Sequence, residues 1–135
     1  MKFLELKKSL NKPKSIYSLT GDDEFLLSQA LRIIKEELVT SFEEFNYTKI
    51  DMENTKVSDY KNILNTMPFG DSYRVVVFSM PNIEQVRAIN QLTNQDLERV
   101  IIVCIQPAFK VDRAENIDCN HLGREDLIKW LNNYF

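Results

Sequence analysis

The chain has 135 residues, 44% of them hydrophobic and 27% charged, which is the size and composition of a single globular domain that needs no disulfide or metal for stability. No run approaches the roughly 20 apolar residues of a membrane helix, and the first eight residues lack the apolar centre of a secretory signal. A cytoplasmic protein with reduced thiols is therefore expected. Two cysteines and one histidine are too few for a structural zinc site, and a net charge of −3 argues against nucleic acid as a direct partner.

The first half of the chain is predicted to alternate between strands and helices. A short strand over residues 15–19 is followed by an acidic turn suited to a helix start, and then by a helix over residues 23–39 with apolar residues at helical spacing. Residues 45–52 alternate as in a half-exposed strand. A second helix over residues 57–66 should end near Met67, because the residue before a proline disfavours helical backbone.

The second half predicts two strands that are buried on both faces. Residues 74–78 and 100–105 are continuous apolar runs rich in β-branched residues. A helix over residues 82–92 separates them, and a short strand over 117–121 and a helix over 125–134 follow. Buried strands joined by helices predict an α/β fold: a three-layer parallel sheet of about five strands with helices on both faces.

The first strand, turn and helix lie where P-loop-like folds hold a phosphate. A phosphate loop needs glycines, so that backbone N–H groups can converge, and a lysine. Residues 20–25 have one glycine, no lysine and three consecutive acids, which would repel phosphate. The segment Ser79-Met80-Pro81 after the strand 74–78 also has no acid to hold magnesium. Helix capping is therefore the favoured interpretation, and a divergent P-loop-like ATPase stays as an alternative function.

The sequence gives only weak signals for catalytic or metal-binding residues. Cys104 lies in a buried strand and is predicted to be core. Cys119 and His121 are two residues apart and could form a dyad, but chance spacing is favoured. Adjacent carboxylates occur in polar segments typical of a solvated surface. We therefore predict no catalytic residue, cofactor or metal.

One basic cluster stands out, near the amino terminus. It consists of Lys2, Lys7, Lys8, Lys12 and Lys14. It could contact nucleic acid or an acidic protein, so a DNA-binding module stays as a further alternative that the net charge disfavours. The favoured interpretation is the solvated face of a short helix that docks through Phe3, Leu6 and Leu10.

Large apolar residues follow the predicted helix 57–66. Met67, Pro68 and Phe69 precede Gly70, although loops usually carry polar turn residues. Met and Phe are enriched at interfaces, so an exposed Met-Pro-Phe segment would act as an apolar plug for a partner's pocket. Alternatively, Phe69 folds back under the loop as a satellite core residue. The spacing alone gives the two hypotheses equal weight.

Three segments, in the right order, resemble the bacterial DNA polymerase III delta subunit family. Residues 16–27 (Ile-Tyr-Ser-Leu-Thr-Gly-Asp-Asp-Glu-Phe-Leu-Leu) are similar to its opening strand and its Gly-acid-acid-Glu-Phe-Leu turn. Residues 64–69 and 74–77 resemble its Thr-Leu-Pro-Phe corner, which is followed by an Arg and a Val-rich strand. Residues 122–131 are similar to the helix that closes the family's first domain.

The resemblance implies that residues 1–135 are the AAA+-like amino-terminal domain of a clamp-loader subunit, without an ATP-binding motif and without catalytic activity of its own. Family chains are several-fold longer, so this chain is expected to be a fragment without the lid and collar domains. The implied role is in DNA replication: the domain binds the sliding clamp (beta subunit) and promotes its opening for loading on DNA. Other clamp-loader subunits (gamma/tau and delta prime) would be contacted through the missing domains, and primer-template DNA at most indirectly.

The resemblance also implies which residues bind the clamp. Phe69 matches the family's contact phenylalanine, and the preceding aliphatic role falls to Met67 or Pro68. Gly70 departs from the frequent second aromatic residue. Ser72 and Tyr73 would form a polar rim around the hot spot.

Overall fold

The computed structural model describes residues 1–95, 97–121 and 123–134. In these residues one sheet of five parallel strands has the order β2-β3-β4-β1-β5. The strands are β1 (Ile16–Thr20), β2 (Tyr47–Lys49), β3 (Arg74–Ser79), β4 (Val100–Ile105) and β5 (Glu115–Asp118). Because all strands are parallel, their amino ends form one edge of the sheet and their carboxyl ends form the other.

Helices connect the strands. They are α1 (Leu6–Ser9), α2 (Glu24–Leu38), α3 (Glu43–Asn46), α4 (Tyr60–Leu64), α5 (Ile83–Leu92) and α6 (Arg124–Tyr134), with 3-10 turns at Phe3–Glu5 and Val57–Asp59. Their starts follow ordinary capping chemistry. Asp23 accepts a hydrogen bond from the Leu26 N–H at the start of α2, and Asn82 and Gln85 form a reciprocal capping box at α5. No described helix is both long enough and apolar enough to cross a bilayer.

The core divides into two layers because successive residues of a strand point to opposite faces of the sheet. Val75 and Val77 of β3 pack in the layer that holds α1 and α2. Val76 and Phe78 pack in the opposite layer, which holds α4 and α5. The predicted three-layer α/β class is confirmed, and the runs 74–78 and 100–105 are buried strands as predicted.

Two predicted strands are shorter or displaced. The strand over residues 45–52 is reduced to β2, because Phe42 adopts left-handed backbone and the N–H groups of Phe45 and Asn46 bond to its carbonyl, which starts the helical turn α3. The strand predicted over residues 117–121 is displaced toward the amino terminus, as β5 at Glu115–Asp118. It ends at Asp118 because its pairing partner β1 ends at Thr20.

The predicted helix over residues 57–66 is also shorter. It begins as a 3-10 turn, and α4 ends at Leu64, three residues before Met67. At this end the guanidinium Nη1 of Arg74 donates to the Ile63 carbonyl at 2.6 Å, so a terminal carbonyl of α4 has a partner outside the helix. Leu122, which begins the third matching segment, lies outside the described residues.

Candidate functional site

The predicted plug lies in the loop between α4 and β3, at the amino edge of the sheet. Phe69 and Met67 are 59% and 45% exposed, and Pro68 is half-buried. Of the predicted rim, Ser72 is exposed, whereas Tyr73 is partly buried against the layer under α2. Phe69 is therefore not folded under the loop, and large apolar side chains face solvent beside the sheet.

Two further aromatic rings lie beside Phe69. The ring centroids of Phe42 and Phe69 are 5.0 Å apart in an edge-to-face arrangement, and those of Phe45 and Phe69 are 5.5 Å apart. Both neighbours come from the segment between α2 and β2 and are 50% and 58% exposed. These distances are typical of attractive aromatic pairs, so the three rings form one surface cluster. We call Phe42, Phe45 and Phe69 the aromatic cluster.

A buried asparagine fixes the backbone of the plug. The Asn46 side chain is fully buried, and its Oδ1 accepts from the Phe69 N–H at 2.7 Å. Its Nδ2 donates to the carbonyls of Phe69 at 2.7 Å and Ser41 at 2.9 Å. The side-chain amide thus satisfies both backbone groups of Phe69, as a neighbouring strand would. It also ties the loop to the segment that carries Phe42 and Phe45.

Asp71 joins the same two segments a second time. Its carboxylate accepts from the N–H groups of Thr40 and Ser41 at 2.8 and 3.0 Å, and from the Thr40 hydroxyl at 2.9 Å. Partial desolvation opposes the effect, but hydrogen bonds from Ser41, Thr40 and Ser72 hold the pKa of Asp71 below its usual value. The ionised carboxylate is therefore the form that the folded chain favours.

Two arginines hold the ends of the loop. Arg74 is buried and donates to the carbonyl of Ile63 and to the Thr48 hydroxyl. Desolvation lowers the pKa of Arg74, and its Nε has no hydrogen-bond partner in the described part of the chain. Arg99, just before β4, donates to the carbonyls of Ser72 and Asp71. Both ends of the loop are thus bonded to neighbouring elements.

Gly70 lets the aromatic cluster close over the loop. Its φ is +61°, a left-handed conformation, and a Cβ built on it would lie 2.7 Å from the Phe42 ring.

The arrangement is suited to binding an apolar surface. The loop offers apolar side chains on a braced backbone, and the described residues contain no group of three or more acidic, cysteine or histidine side chains that could hold a metal. A preordered loop loses little conformational entropy when it binds, so more of its contact energy appears as affinity.

The turn that would hold phosphate, at the carboxyl edge, is occupied by the protein itself. The N–H groups of Gly21, Asp22 and Asp23 donate to the Gln106 side chain, the Asn120 side chain and the Cys119 carbonyl. Gln106 also donates to the Gly21 carbonyl. A phosphate would have to displace these partners and approach three carboxylates.

The other sequence candidates stay apart. Cys119 is buried, and desolvation with nearby Asp118 and Asp23 raises its pKa to about 12. Exposed His121 lies beside Asp23, with 3.7 Å between Nδ1 and Oδ2. Cys104 is core as predicted, and burial raises its pKa to about 12. Phe3 and Leu6, predicted to dock the lysine-bearing segment, are buried.

Comparison with known proteins places this fold in a family. Residues 17–109 match the family model of the DNA polymerase III delta subunit. The chain belongs to the DNA polymerase III delta subunit family. This family is a clamp-loader component of DNA polymerase III. The matched range includes the turn at residues 20–25, the loop with Phe69 and the buried strands β3 and β4.

Solved structures agree on the fold. The DNA clamp loader delta protein of Bacillus subtilis is 18% identical and superposes with a TM-score of 0.70 over 97% of this chain and 46% of its own. A DNA polymerase III gamma subunit-related protein of Thermotoga maritima is 16% identical, with a TM-score of 0.69 over 95% of this chain and 49% of its own. The chain thus spans about half the length of these two proteins. No curated protein sequence matches it significantly.

The sequence reasoning missed the residues that brace the loop. Asn46 falls within the strand predicted over residues 45–52, and Asp71 lies in the segment between the predicted helix 57–66 and the predicted strand 74–78. The contacts that join the two segments, Asn46 to Phe69 and Asp71 to Thr40, span 23 and 31 residues along the chain, so local spacing carries no signal for them. An asparagine between the hydrophobic residues Phe45 and Tyr47 was the one available hint that a buried amide bonds to the backbone.

Replacing Asn46 should loosen the loop. In Asn46→Ala the N–H and carbonyl of Phe69 lose their partners, which costs about 1–3 kcal/mol. Hydrogen exchange measured by NMR should show the Phe69 amide exchanging at least about tenfold faster, with a smaller change at Val103 in β4. Asn62→Ala, which changes an exposed asparagine of α4, serves as the control. If the Phe69 amide exchanges at the same rate in wild type and Asn46→Ala, the Asn46 side chain does not hold the backbone of the loop.

Asp71 should make stability depend on acid pH. Because its folded-state pKa is below the unfolded value of about 3.9, the carboxylate stabilises the fold above that pH, and the contribution is lost as the pH falls through the folded-state pKa. The free energy of urea unfolding should be higher for wild type than for Asp71→Asn at neutral pH. The difference should narrow between about pH 5 and pH 2. Exposed Asp112→Asn is the control. If the difference in unfolding free energy between wild type and Asp71→Asn does not depend on pH, or equals that measured for Asp112→Asn, the charge of the Asp71 carboxylate does not stabilise the fold.

Proposed function

We propose that this chain is the clamp-contacting domain of a clamp-loader delta subunit in DNA replication. It binds the sliding clamp with Phe69 and Met67 and promotes opening of the ring. The observation that carries the proposal is the exposure of the Phe69 ring, which is 59% accessible although the Asn46 side chain holds both the N–H and the carbonyl of Phe69. Family membership supports the clamp as the partner, since the family is a clamp-loader component.

Met67 takes the aliphatic role beside Phe69 in this proposal. Its side chain is 45% exposed, whereas Pro68 is half-buried. Burying a large apolar side chain contributes roughly 1.5–3 kcal/mol, so these two residues can supply a large share of the energy of a modest protein contact. Ser72 and Tyr73 lie at the rim, where Tyr73 contributes less because it packs on the core.

Ring opening follows from differential binding. A plug that fits a pocket on the clamp better in the open ring than in the closed ring shifts the population toward the open ring. The shift cannot exceed the difference in binding free energy between the two forms. A rigid plug serves this better than a flexible loop, because a flexible loop adapts to both forms.

We further propose that the chain does no ATP chemistry itself. The internal hydrogen bonds at Gly21, Asp22 and Asp23 and the absence of a lysine in this turn support this proposal. ATP hydrolysis then takes place on other clamp-loader subunits. The gamma/tau and delta prime subunits are the partners with which the chain would assemble. DNA is contacted at most indirectly, and the complex works in the cytoplasm.

Phe69→Ala should abolish clamp binding without unfolding the chain. Truncation removes the hot spot, so we expect at least about a 30-fold loss of affinity for the organism's own clamp immobilised on a sensor surface. Met67→Ala should weaken binding less, and Pro68→Ala least. Circular dichroism and thermal unfolding should show little change, because the ring is mostly exposed.

Two results would contradict this proposal. One is no wild-type binding at concentrations up to about 100 μM, where a contact of −5 to −6 kcal/mol would still be detected. The other is Phe69→Ala that binds normally, or that loses much of its thermal stability, since Phe69 would then act in folding and not in binding.

A further inference from the structure

The aromatic cluster contains two rings that the plug hypothesis does not use. Phe42 and Phe45 belong to the segment between α2 and β2, at least 24 positions before Phe69. They are 50% and 58% exposed, close to the 59% of Phe69. Phe42 and Phe45 both contact the Phe69 ring, so the three half-exposed phenylalanines form a contiguous apolar patch, which is more typical of interaction surfaces than of ordinary surfaces.

The ring distances constrain any partner of Phe69. Phe42 meets the Phe69 ring edge-to-face at a centroid distance of 5.0 Å, and Phe45 lies at 5.5 Å. These are van der Waals contacts, so no water layer separates the rings. A pocket that closes over the exposed part of Phe69 must therefore cover or displace part of Phe42 and Phe45.

Phe42 has an uncommon backbone conformation. Its φ is +50°, which is uncommon for a bulky residue without a short polar side chain. The conformation places its ring over Gly70, where a Cβ would lie 2.7 Å away. Strain of this kind persists where surrounding contacts fix it, and it clusters at binding sites. Here the bonds of Asn46 and Asp71 fix it.

We propose that Phe42 and Phe45 are binding residues of the same clamp-docking surface, so that the site is built from two chain segments and not from the loop alone. This inference rests on the proposed clamp contact of Phe69. The occupant is the sliding clamp, because the patch is continuous with that contact. Phenylalanine rings have few rotatable bonds, so they add contact area at a low cost in conformational entropy.

Two glutamates beside the aromatic cluster indicate the charge of the pocket that would match it. Glu43 and Glu44 lie between Phe42 and Phe45 in the sequence, and Glu43 pairs with Lys35 of α2. The exposed carboxylate of Glu44 lies next to Phe45 in the sequence. The complementary surface on the clamp is therefore an apolar pocket with a basic or neutral margin on this side, since a like charge opposite Glu44 would oppose docking.

The test compares single alanine variants of exposed phenylalanines on opposite edges of the sheet. Phe45→Ala is the decisive variant, and Phe42→Ala is the second. Phe109→Ala is the matched control, because Phe109 is 60% exposed and follows β4 at the carboxyl edge. Affinity for the immobilised clamp should fall at least about fivefold for Phe45→Ala and Phe42→Ala and stay within twofold of wild type for Phe109→Ala. Thermal unfolding checks that each variant is folded.

The outcomes separate this inference from the proposed function. If Phe69→Ala abolishes binding while Phe45→Ala and Phe42→Ala match Phe109→Ala, the clamp contact stands and the two-segment surface is overturned. If Phe69→Ala binds normally, the proposed function itself fails. Sedimentation of the free chain tests another occupant: a dimer that dissociates in Phe45→Ala would assign the patch to a second copy and overturn the inference. A monomer, with the loss of clamp affinity described above, supports it.

Discussion

The carboxamide of Asn46 is the contact on which the exposed loop depends. It is buried, it bonds to both backbone groups of Phe69, and it reaches back to the Ser41 carbonyl. A polar group can be buried only if it is hydrogen-bonded, so the amide and the loop fix each other. The apolar side chains of the loop then stay in solvent, because the backbone beneath them cannot fold inward without breaking these bonds.

The two edges of the parallel sheet have different characters. At the carboxyl edge, where open α/β sheets generally bind ligands, the turn after β1 is closed by Gln106, Asn120 and the Cys119 carbonyl. At the amino edge, Asn46, Asp71 and Arg99 brace a loop that ends in exposed apolar side chains. The turn after β1 is thus closed by internal hydrogen bonds, whereas the loop before β3 is braced with its apolar side chains exposed.

The sequence predicts the fold well because the strands and helices follow from the periodicity of hydrophobic residues. The apolar runs 74–78 and 100–105 and the helical spacing along α2 depend on residues close together in the chain. The bracing contacts do not: Asn46 and Asp71 act on partners brought near by the sheet. The helical turn α3 was missed for the same reason, since it depends on a left-handed Phe42 supported by Gly70. The apolar character of the plug was visible in the sequence, whereas its exposure was decided by tertiary hydrogen bonds.

We propose that the sliding clamp binds at the amino edge of this sheet. Amide hydrogen exchange of the wild-type chain with and without the clamp tests it most directly, because every edge is reported in one experiment. If the clamp binds there, we expect slower exchange in its presence in residues 41–46 and 66–72, and unchanged exchange around the turn 20–24 and the segment 106–110. Slower exchange at those carboxyl-edge segments, with none at the loop, would contradict it.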